Sequence, residues 1–262
     1  MNILDEIIAN KKIEVQSKKV NTSIADLEIT NMFQRKTISL SSFLSDKSRT
    51  GIIAEFKRKS PSKGIINNSA SVIDVTTAYA TSASGISVLT DGKFFGGSIE
   101  DLQQARVNTI PILRKEFIID AYQIIEAKSI GADAILLIAA CLSHRQVQQF
   151  ASLAKQLGLE VLLEIHNEDE LGHICDEVDI VGVNNRNLKT FEVSIENSLN
   201  LINKIPTNKL AIAESGISNI DTIVTLRNVG FSGFLIGENF MKELNPAIAF
   251  ANFVTQLKTK LV

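Results

Sequence analysis

Glu55 and Lys57 stand two residues apart at the end of the apolar run Ile52-Ile53-Ala54, and the loop Ser60-Pro61-Ser62-Lys63-Gly64 follows them. Residues two apart on a strand share a face, so this acid and base point the same way. Charges at the end of a buried element are costly unless they are paired or used. The loop adds hydroxyl, ammonium and backbone donors suited to an anion. Together they read as the mouth of a site.

Other apolar runs end in the same manner. Leu113 leads into Arg114-Lys115-Glu116-Phe117, Leu163 into Glu164-Ile165-His166, and Ile180 into a segment that sets Gly182, Asn184 and Arg186 on one face. Two more finish in Glu214-Ser215-Gly216 and in Gly237-Glu238. One polar strand end is ordinarily a side chain meeting water. Six at once point to a common site. Small residues at Ser215, Gly216 and Gly237 let backbone N–H groups approach a phosphate.

The elements that must position these groups alternate from Gly51 onward. Strands are expected over Gly51–Lys57, Ile86–Thr90, Pro111–Lys115, Ala134–Ile138, Glu160–Ile165, Ile180–Asn184, Leu210–Glu214 and Gly233–Ile236. Helices are expected over Ser71–Ala83, Ser98–Val107, Tyr122–Ile130, Ser143–Leu157, Ser194–Ile205 and Asn219–Val229, with Gly131, Gly158 and Gly230 as stops. Consecutive parallel strands need helical crossovers, and evenly spaced units favour closure over an open doubly wound sheet. The fold class is therefore α/β, a (β/α)8 TIM barrel with an N-terminal helical extension. Residues 1–50 form that extension, with helices around Ile3 to Val15 and Ile38 to Leu44, and residues 51–262 form the barrel domain. In such barrels function sits at the carboxyl ends of the strands, with phosphate after the seventh and eighth.

Composition narrows the class further. A chain of 262 residues, 45% hydrophobic and 21% charged, suits one large core. Its net charge of −2 gives no argument for nucleic acid or an anionic membrane as partner. The start carries Asp5 and Glu6 without a signal peptide's basic flank, and no apolar run approaches a membrane span, so a soluble cytoplasmic protein is expected. Cys141 and Cys175 are read as reduced, buried structural thiols. His144, His166 and His173 lack metal-ligand spacing and are read as solvated or helix-end residues, so no metal and no cofactor is called for.

The residues also resemble a family. Ile53-Ala54-Glu55-Phe56-Lys57-x-x-Ser60-Pro61-Ser62-x-Gly64 is similar to the signature of indole-3-glycerol phosphate synthase. The likeness runs from Ile3-Leu4-x-x-Ile7, Lys11 and Glu14-Val15 through Ile86 to Thr90 and Phe95-Gly96-Gly97-Ser98. It continues in order through Leu163 to His166, Gly182 to Arg186, Ala213 to Ser218 and Leu235 to Gly237. The chain departs at Glu116 and Asn187, where the family usually has Asp. No second barrel follows residue 262, so the isomerase activity of fused versions is not expected.

The resemblance implies conversion of 1-(2-carboxyphenylamino)-1-deoxyribulose 5-phosphate to indole-3-glycerol phosphate, carbon dioxide and water. It implies Lys115 as the acid of ring closure, with Glu164 and Lys57 sharing the later proton transfers in an order the residues leave open. Glu55 would tune the lysines, Asn184 and Glu214 would hold substrate hydroxyls, and Arg186 would face the anionic substrate. Phosphate would fall to Ser215, Gly216 and Gly237, with Lys57, Ser60 and Glu238 alongside. Phe117, Leu136, Leu188 and Phe94 are the candidate wall for the aromatic ring, against a plain reading of each as core. A monomer is implied.

Two other readings remain open at this level. A Schiff-base aldolase or sugar-phosphate isomerase would also place a lysine at a strand end near phosphate binders. A barrel that binds a phosphorylated metabolite without turning it over is the non-enzyme reading, against which Glu55, Lys57, Lys115 and Glu164 together argue.

Overall fold

The computed structural model describes residues 3–188 and 190–261; residues 1 and 2 of the expected extension, and 189 and 262 of the expected barrel segment, lie outside the described residues. Eight strands, β1 (Ile52–Phe56), β2 (Gly85–Leu89), β3 (Ile112–Lys115), β4 (Ala134–Ile138), β5 (Glu160–Ile165), β6 (Ile180–Asn184), β7 (Leu210–Glu214) and β8 (Gly233–Ile236), make a closed parallel barrel. Each pairs with the next, and β8 returns to β1. β4 to β8 begin and end at the expected residues. The first three differ by a residue or two at their ends; Pro111 lies outside β3, although its carbonyl still accepts from Ile86 N at 2.9 Å.

The two-residue alternation sorts each strand into two cores. Ile52, Ala54 and Phe56 pack outward with the helices, whereas Ile53, Leu113, Leu136, Leu162, Ile212 and Leu235 fill the barrel interior. Most outer helices start where the sequence reading put them: Ser71, Ser98, Ser143 and Asn219 each cap a backbone N–H of the following turn, and the helix expected from Tyr122 begins at Ala121 under the cap of Asp120. Gly131 (φ 93°), Gly158 (φ 74°) and Gly230 (φ 115°) take the left-handed conformation after helices Ala121–Ser129, His144–Gln156 and Ile220–Asn228. The helix expected from Ser194 begins only at Glu196 and gives way to a 3-10 turn at Ile202–Lys204. Ser194 is held in the preceding loop, where Arg186 bridges Val193 and Ser194 N donates to Asn185 O at 3.1 Å. After β5 the crossover carries a 3-10 turn, Glu168–His173, in place of an α-helix. Cys141 and Cys175 are free and half-buried, not fully buried as read from sequence. No helix among the described residues is long and apolar enough to cross a membrane.

The first fifty residues contact both ends of the barrel. Helix α1 (Ile3–Asn21) buries Ile7, Lys11 and Val15, four residues apart and thus on one stripe. A short α2 (Ile24–Glu28), unforeseen from sequence, is fixed by a reciprocal capping box between Ser23 and Asp26. The helix expected over Ile38 to Leu44 is α3 (Leu40–Ser45), shifted because Ser39 is its cap. Ser39 Oγ, Ser41 Oγ and Ser41 N all donate to the Glu160 carboxylate at 2.6 to 2.8 Å, which seats α3 at the amino-terminal end of the barrel. There Leu40 and Leu44 join the interior core. Gly85 and Gly233 make room: a Cβ on them would lie 2.6 Å from Leu40 Cδ1 and 2.7 Å from Leu44 Cδ2.

Candidate active site

At the other end, the same alternation turns Glu55, Lys57, Ser87, Lys115, Glu164, Asn184 and Glu214 inward. Lys57 Nζ lies 2.7 Å from Glu55 Oε1, as the two-residue spacing demands. Lys115 Nζ sits between two carboxylates, 3.4 Å from Glu164 Oε2 and 3.5 Å from Glu214 Oε2. Asn184 Nδ2 donates to Glu164 Oε1 at 3.1 Å, and its Oδ1 accepts Arg186 N at 3.0 Å. All of these except Ser87 line one cavity.

Burial alone would neutralise each of these groups, and their mutual charges decide otherwise. For Lys115 burial works against the charge, but Glu164, Glu214 and Glu55 overcome it and hold the ammonium well above its ordinary range. Burial likewise opposes ionisation of Glu55, and Lys57 and Lys115 reverse that to lower its pKa. Glu214 behaves differently. Burial, with Glu164 and Glu55 adding to it, pushes its pKa up to about 8 despite Lys115. Neither oxygen of Glu214 has a hydrogen-bond partner, and Lys115 Nζ is the cation beside it at 3.5 Å.

The backbone turns beyond β7 and β8 complete the rim. Ser215 (φ 66°) and Gly216 (φ 72°) are both left-handed, and Asn185 Nδ2 holds the Ser215 carbonyl at 3.1 Å. A non-glycine residue kept in that region marks stored strain of the kind found at functional sites. Gly216 is required by its surroundings, since a Cβ there would stand 2.3 Å from Val193 Cγ1. Gly237, Glu238, Ser60 and Ser62 also reach the cavity. The Glu238 carboxylate is occupied by Arg186 at 3.5 Å and Lys63 at 3.6 Å.

The apolar wall holds Phe117, Leu136 and Leu188, but Phe95 lines it where the sequence suggested Phe94. Asp91 caps the turn Gly92–Phe95 through the N–H groups of Phe94 and Phe95, and neighbours on a helix point about 100° apart. Phe95 therefore meets Phe117, ring centroids 5.9 Å apart, while Phe94 lies under the Lys93 ammonium at 5.2 Å. Sequence reasoning also missed Ile3, Leu4 and Ile7, by which α1 closes one side of the cavity. Nothing local in the sequence announces where a helix docks.

His166 is the second correction. Its side chain is 9% exposed, with Nε2 3.1 Å from Glu164 Oε1 and Nδ1 3.3 Å from Glu170 Oε2, so it is neither solvated nor a helix end. The signal was available: His166 is two residues after Glu164 on one strand face and four before Glu170. Glu116, the departure beside Lys115, is also buried. It receives Lys11 Nζ from α1 at 3.0 Å, Thr90 Oγ1 at 2.8 Å and Phe117 N at 2.8 Å.

A closed eight-stranded parallel barrel whose acids and bases converge at the carboxyl ends of its strands defines a TIM-barrel enzyme. The fold is shared with the tryptophan synthase α-subunit of Pyrococcus furiosus. One variant of that subunit matches at TM-score 0.62 with 18% identity, over 80% of this chain and 98% of the other. At the level of sequence, the profile of indole-3-glycerol phosphate synthase matches residues 4–253. The chain is 47% identical to the indole-3-glycerol phosphate synthase of Bacteroides thetaiotaomicron, over 98% of this chain and 99% of that one. It is 39% identical to that of Variovorax paradoxus, over 95% and 98%. This chain belongs to the indole-3-glycerol phosphate synthase family.

Proposed function

We propose that the cavity converts 1-(2-carboxyphenylamino)-1-deoxyribulose 5-phosphate to indole-3-glycerol phosphate, carbon dioxide and water, the reaction of its family in tryptophan biosynthesis. The observation that carries the assignment of roles is Lys115, an ammonium bracketed by Glu164 and Glu214 beside an apolar wall.

Ring closure needs a proton on the ketone oxygen as the aromatic carbon attacks, and Lys115 supplies it. Loss of carbon dioxide, which leaves its bonding pair behind, restores the aromatic ring. The new hydroxyl then departs as water after a second protonation, and a base removes a proton from the neighbouring carbon. Lys57 and Glu164 serve these later steps, with Glu55 fixing Lys57 through their 2.7 Å contact. Asn184 orients Glu164, and Glu214 offers its carboxyl group to a substrate hydroxyl. The phosphate lies against Ser215, Gly216 and Gly237, with Lys57, Ser60, Arg186 and the backbone at Glu238 near it. Phe117, Phe95, Leu136 and Leu188 flank the aromatic ring, together with Ile3, Leu4 and Ile7.

A Schiff-base mechanism requires a neutral amine. Lys115, held charged by three carboxylates, is a poor candidate for one. Residues 1–50 act in this reading as an extension of the barrel domain of residues 51–262, and the working unit is a monomer in the cytoplasm whose partner is its small phosphorylated substrate.

The test is direct. Purified protein mixed with the carboxyphenylamino substrate, without added metal or cofactor, should give rising indole fluorescence. Lys115→Ala should lose on the order of 10² or more in kcat with substrate binding largely kept. Near-normal turnover in that variant would remove Lys115 from its role, and no turnover by the folded wild type would sink the reaction.

A further inference from the structure

Asn185 follows β6 directly and is 3% exposed, yet it does not line the cavity. Each of its polar atoms is engaged. Its backbone N–H donates to Glu214 O at 2.9 Å, and its carbonyl accepts Ser194 N at 3.1 Å. Its Oδ1 accepts Ser198 N at 3.2 Å and Ser198 Oγ at 2.8 Å, near the start of helix Glu196–Leu201. A backbone N–H can only donate, so the amide oxygen must be the atom that faces Ser198. Nδ2 is thereby aimed the other way, at the Ser215 carbonyl 3.1 Å off.

Ser215 is an uncommon residue to find so held. Its φ of 66° lies in the left-handed region, which a residue with a Cβ adopts only where its surroundings impose it. The peptide that follows is trans, so its C=O and its N–H point in opposite directions. A Ser215 carbonyl drawn back to Asn185, behind the cavity wall, therefore turns the Gly216 N–H toward the cavity that Gly216 lines. Among the described residues that N–H meets no acceptor.

We propose that Asn185 is the positioning residue of the phosphate subsite: by holding the Ser215 carbonyl behind the wall, it fixes the Gly216 N–H as a donor to the substrate's phosphate. The inference rests on the phosphate placement proposed above.

The chemistry of the side chain suits the task. An amide presents a donor to the carbonyl and an acceptor to Ser198 without bringing a charge into a buried place, whereas a carboxylate would repel the carbonyl and an ammonium would need a counter-ion. Asn185 also steadies the other side of the turn. Through Ser194 it keeps the preceding loop in place, and Val193 of that loop stands where a Cβ on Gly216 would be, 2.3 Å from Cγ1. Without the Asn185 contact the Ser215–Gly216 peptide is free to rotate. Its oxygen, an acceptor, would then face the phosphate in place of the donor.

The test compares Asn185→Ala with Ser198→Ala. The first frees the Ser215 carbonyl; the second removes the Ser198 hydroxyl from Oδ1 and leaves that carbonyl held. Asn185→Ala should raise KM for the carboxyphenylamino substrate about tenfold with kcat within about twofold of wild type, and should weaken competitive inhibition by inorganic phosphate by the same factor. Ser198→Ala should leave both constants near wild type, whatever it costs in Tm. Unchanged phosphate inhibition in folded Asn185→Ala, or an equal rise in the two variants, would overturn the proposal. A second readout needs no variant: in isotope-labelled wild type followed by amide NMR, the Gly216 proton should move downfield as inorganic phosphate is added. A Gly216 resonance that stays in place while phosphate inhibits turnover would overturn the proposal and leave the reaction standing. Failure of the wild type to turn the substrate over would instead refute the reaction itself.

Discussion

Gly182 and Glu214 approach so closely that a Cβ on Gly182 would lie 2.1 Å from Glu214 Oε1. The glycine on β6 is the space into which the carboxyl of β7 fits. Gly182→Ala should therefore expel Glu214 from its place beside Lys115. A displacement of about 1 Å at such a site costs on the order of 10² in rate. Steady-state kinetics on the folded variant would show it, and an unchanged kcat/KM would mean Glu214 works equally well from elsewhere.

Glu214 also makes stability depend on pH. Its pKa is raised from 4.5 in the unfolded chain to about 8 in the fold, so the native state binds more protons between these values. Its stabilisation is complete below about pH 4.5 and falls as pH rises through about 8. His166 contributes with the same sign in a higher window, from 6.5 to about 10. Comparing wild type with Glu214→Gln isolates the first group: the variant should gain Tm relative to wild type as pH goes from 5 to 8. Parallel Tm curves would show that Glu214 ionises normally.

Lys11 carries a buried ammonium from α1 into the barrel wall, 2.8 Å from Asp91 and 3.0 Å from Glu116. Those carboxylates are almost wholly buried. Lys11→Met would take the cation from Asp91 and leave Glu116 only Arg114 at 3.9 Å, and breaking a buried pair in this way typically costs about 3 to 5 kcal/mol. Urea unfolding should register a loss of that size; a loss below about 1 kcal/mol would show that the buried pairs of Lys11 add little to stability.

Phe95 and Phe94 offer a matched pair. Phe95→Ala removes a ring from the cavity wall and should raise KM about tenfold. Phe94→Ala, whose ring lies outside the lining, should leave KM near wild type. Equal effects would place both rings, or neither, against the substrate.

Much of the fold was legible because its signals are local. β4, β5 and β8 follow the turn glycines Gly131, Gly158 and Gly230, β6 and β7 end in the polar Asn184 and Glu214, and the spacing Glu55-x-Lys57 alone predicts the contact found. What could not be read depends on long-range docking. Ile3, Leu4 and Ile7 look like any helix stripe until α1 has found the barrel rim. Phe94 and Phe95 are adjacent and identical, and only the Asp91 cap chooses between them. His166 was misread because a single histidine weighs little until Glu164 and Glu170 are seen to close on both its nitrogens.

Leu40 and Leu44 of α3 seat against Gly85 and Gly233, so the plug made early in synthesis needs a strand made almost last. Until β8 is threaded beside β1, Leu44 has no complete pocket and the floor of the barrel stays open. Contacts of such long sequence separation slow folding and prolong exposure of apolar surface. The early-made plug thus waits on the ribosome for β8, and the barrel cannot become a working container before that final strand arrives.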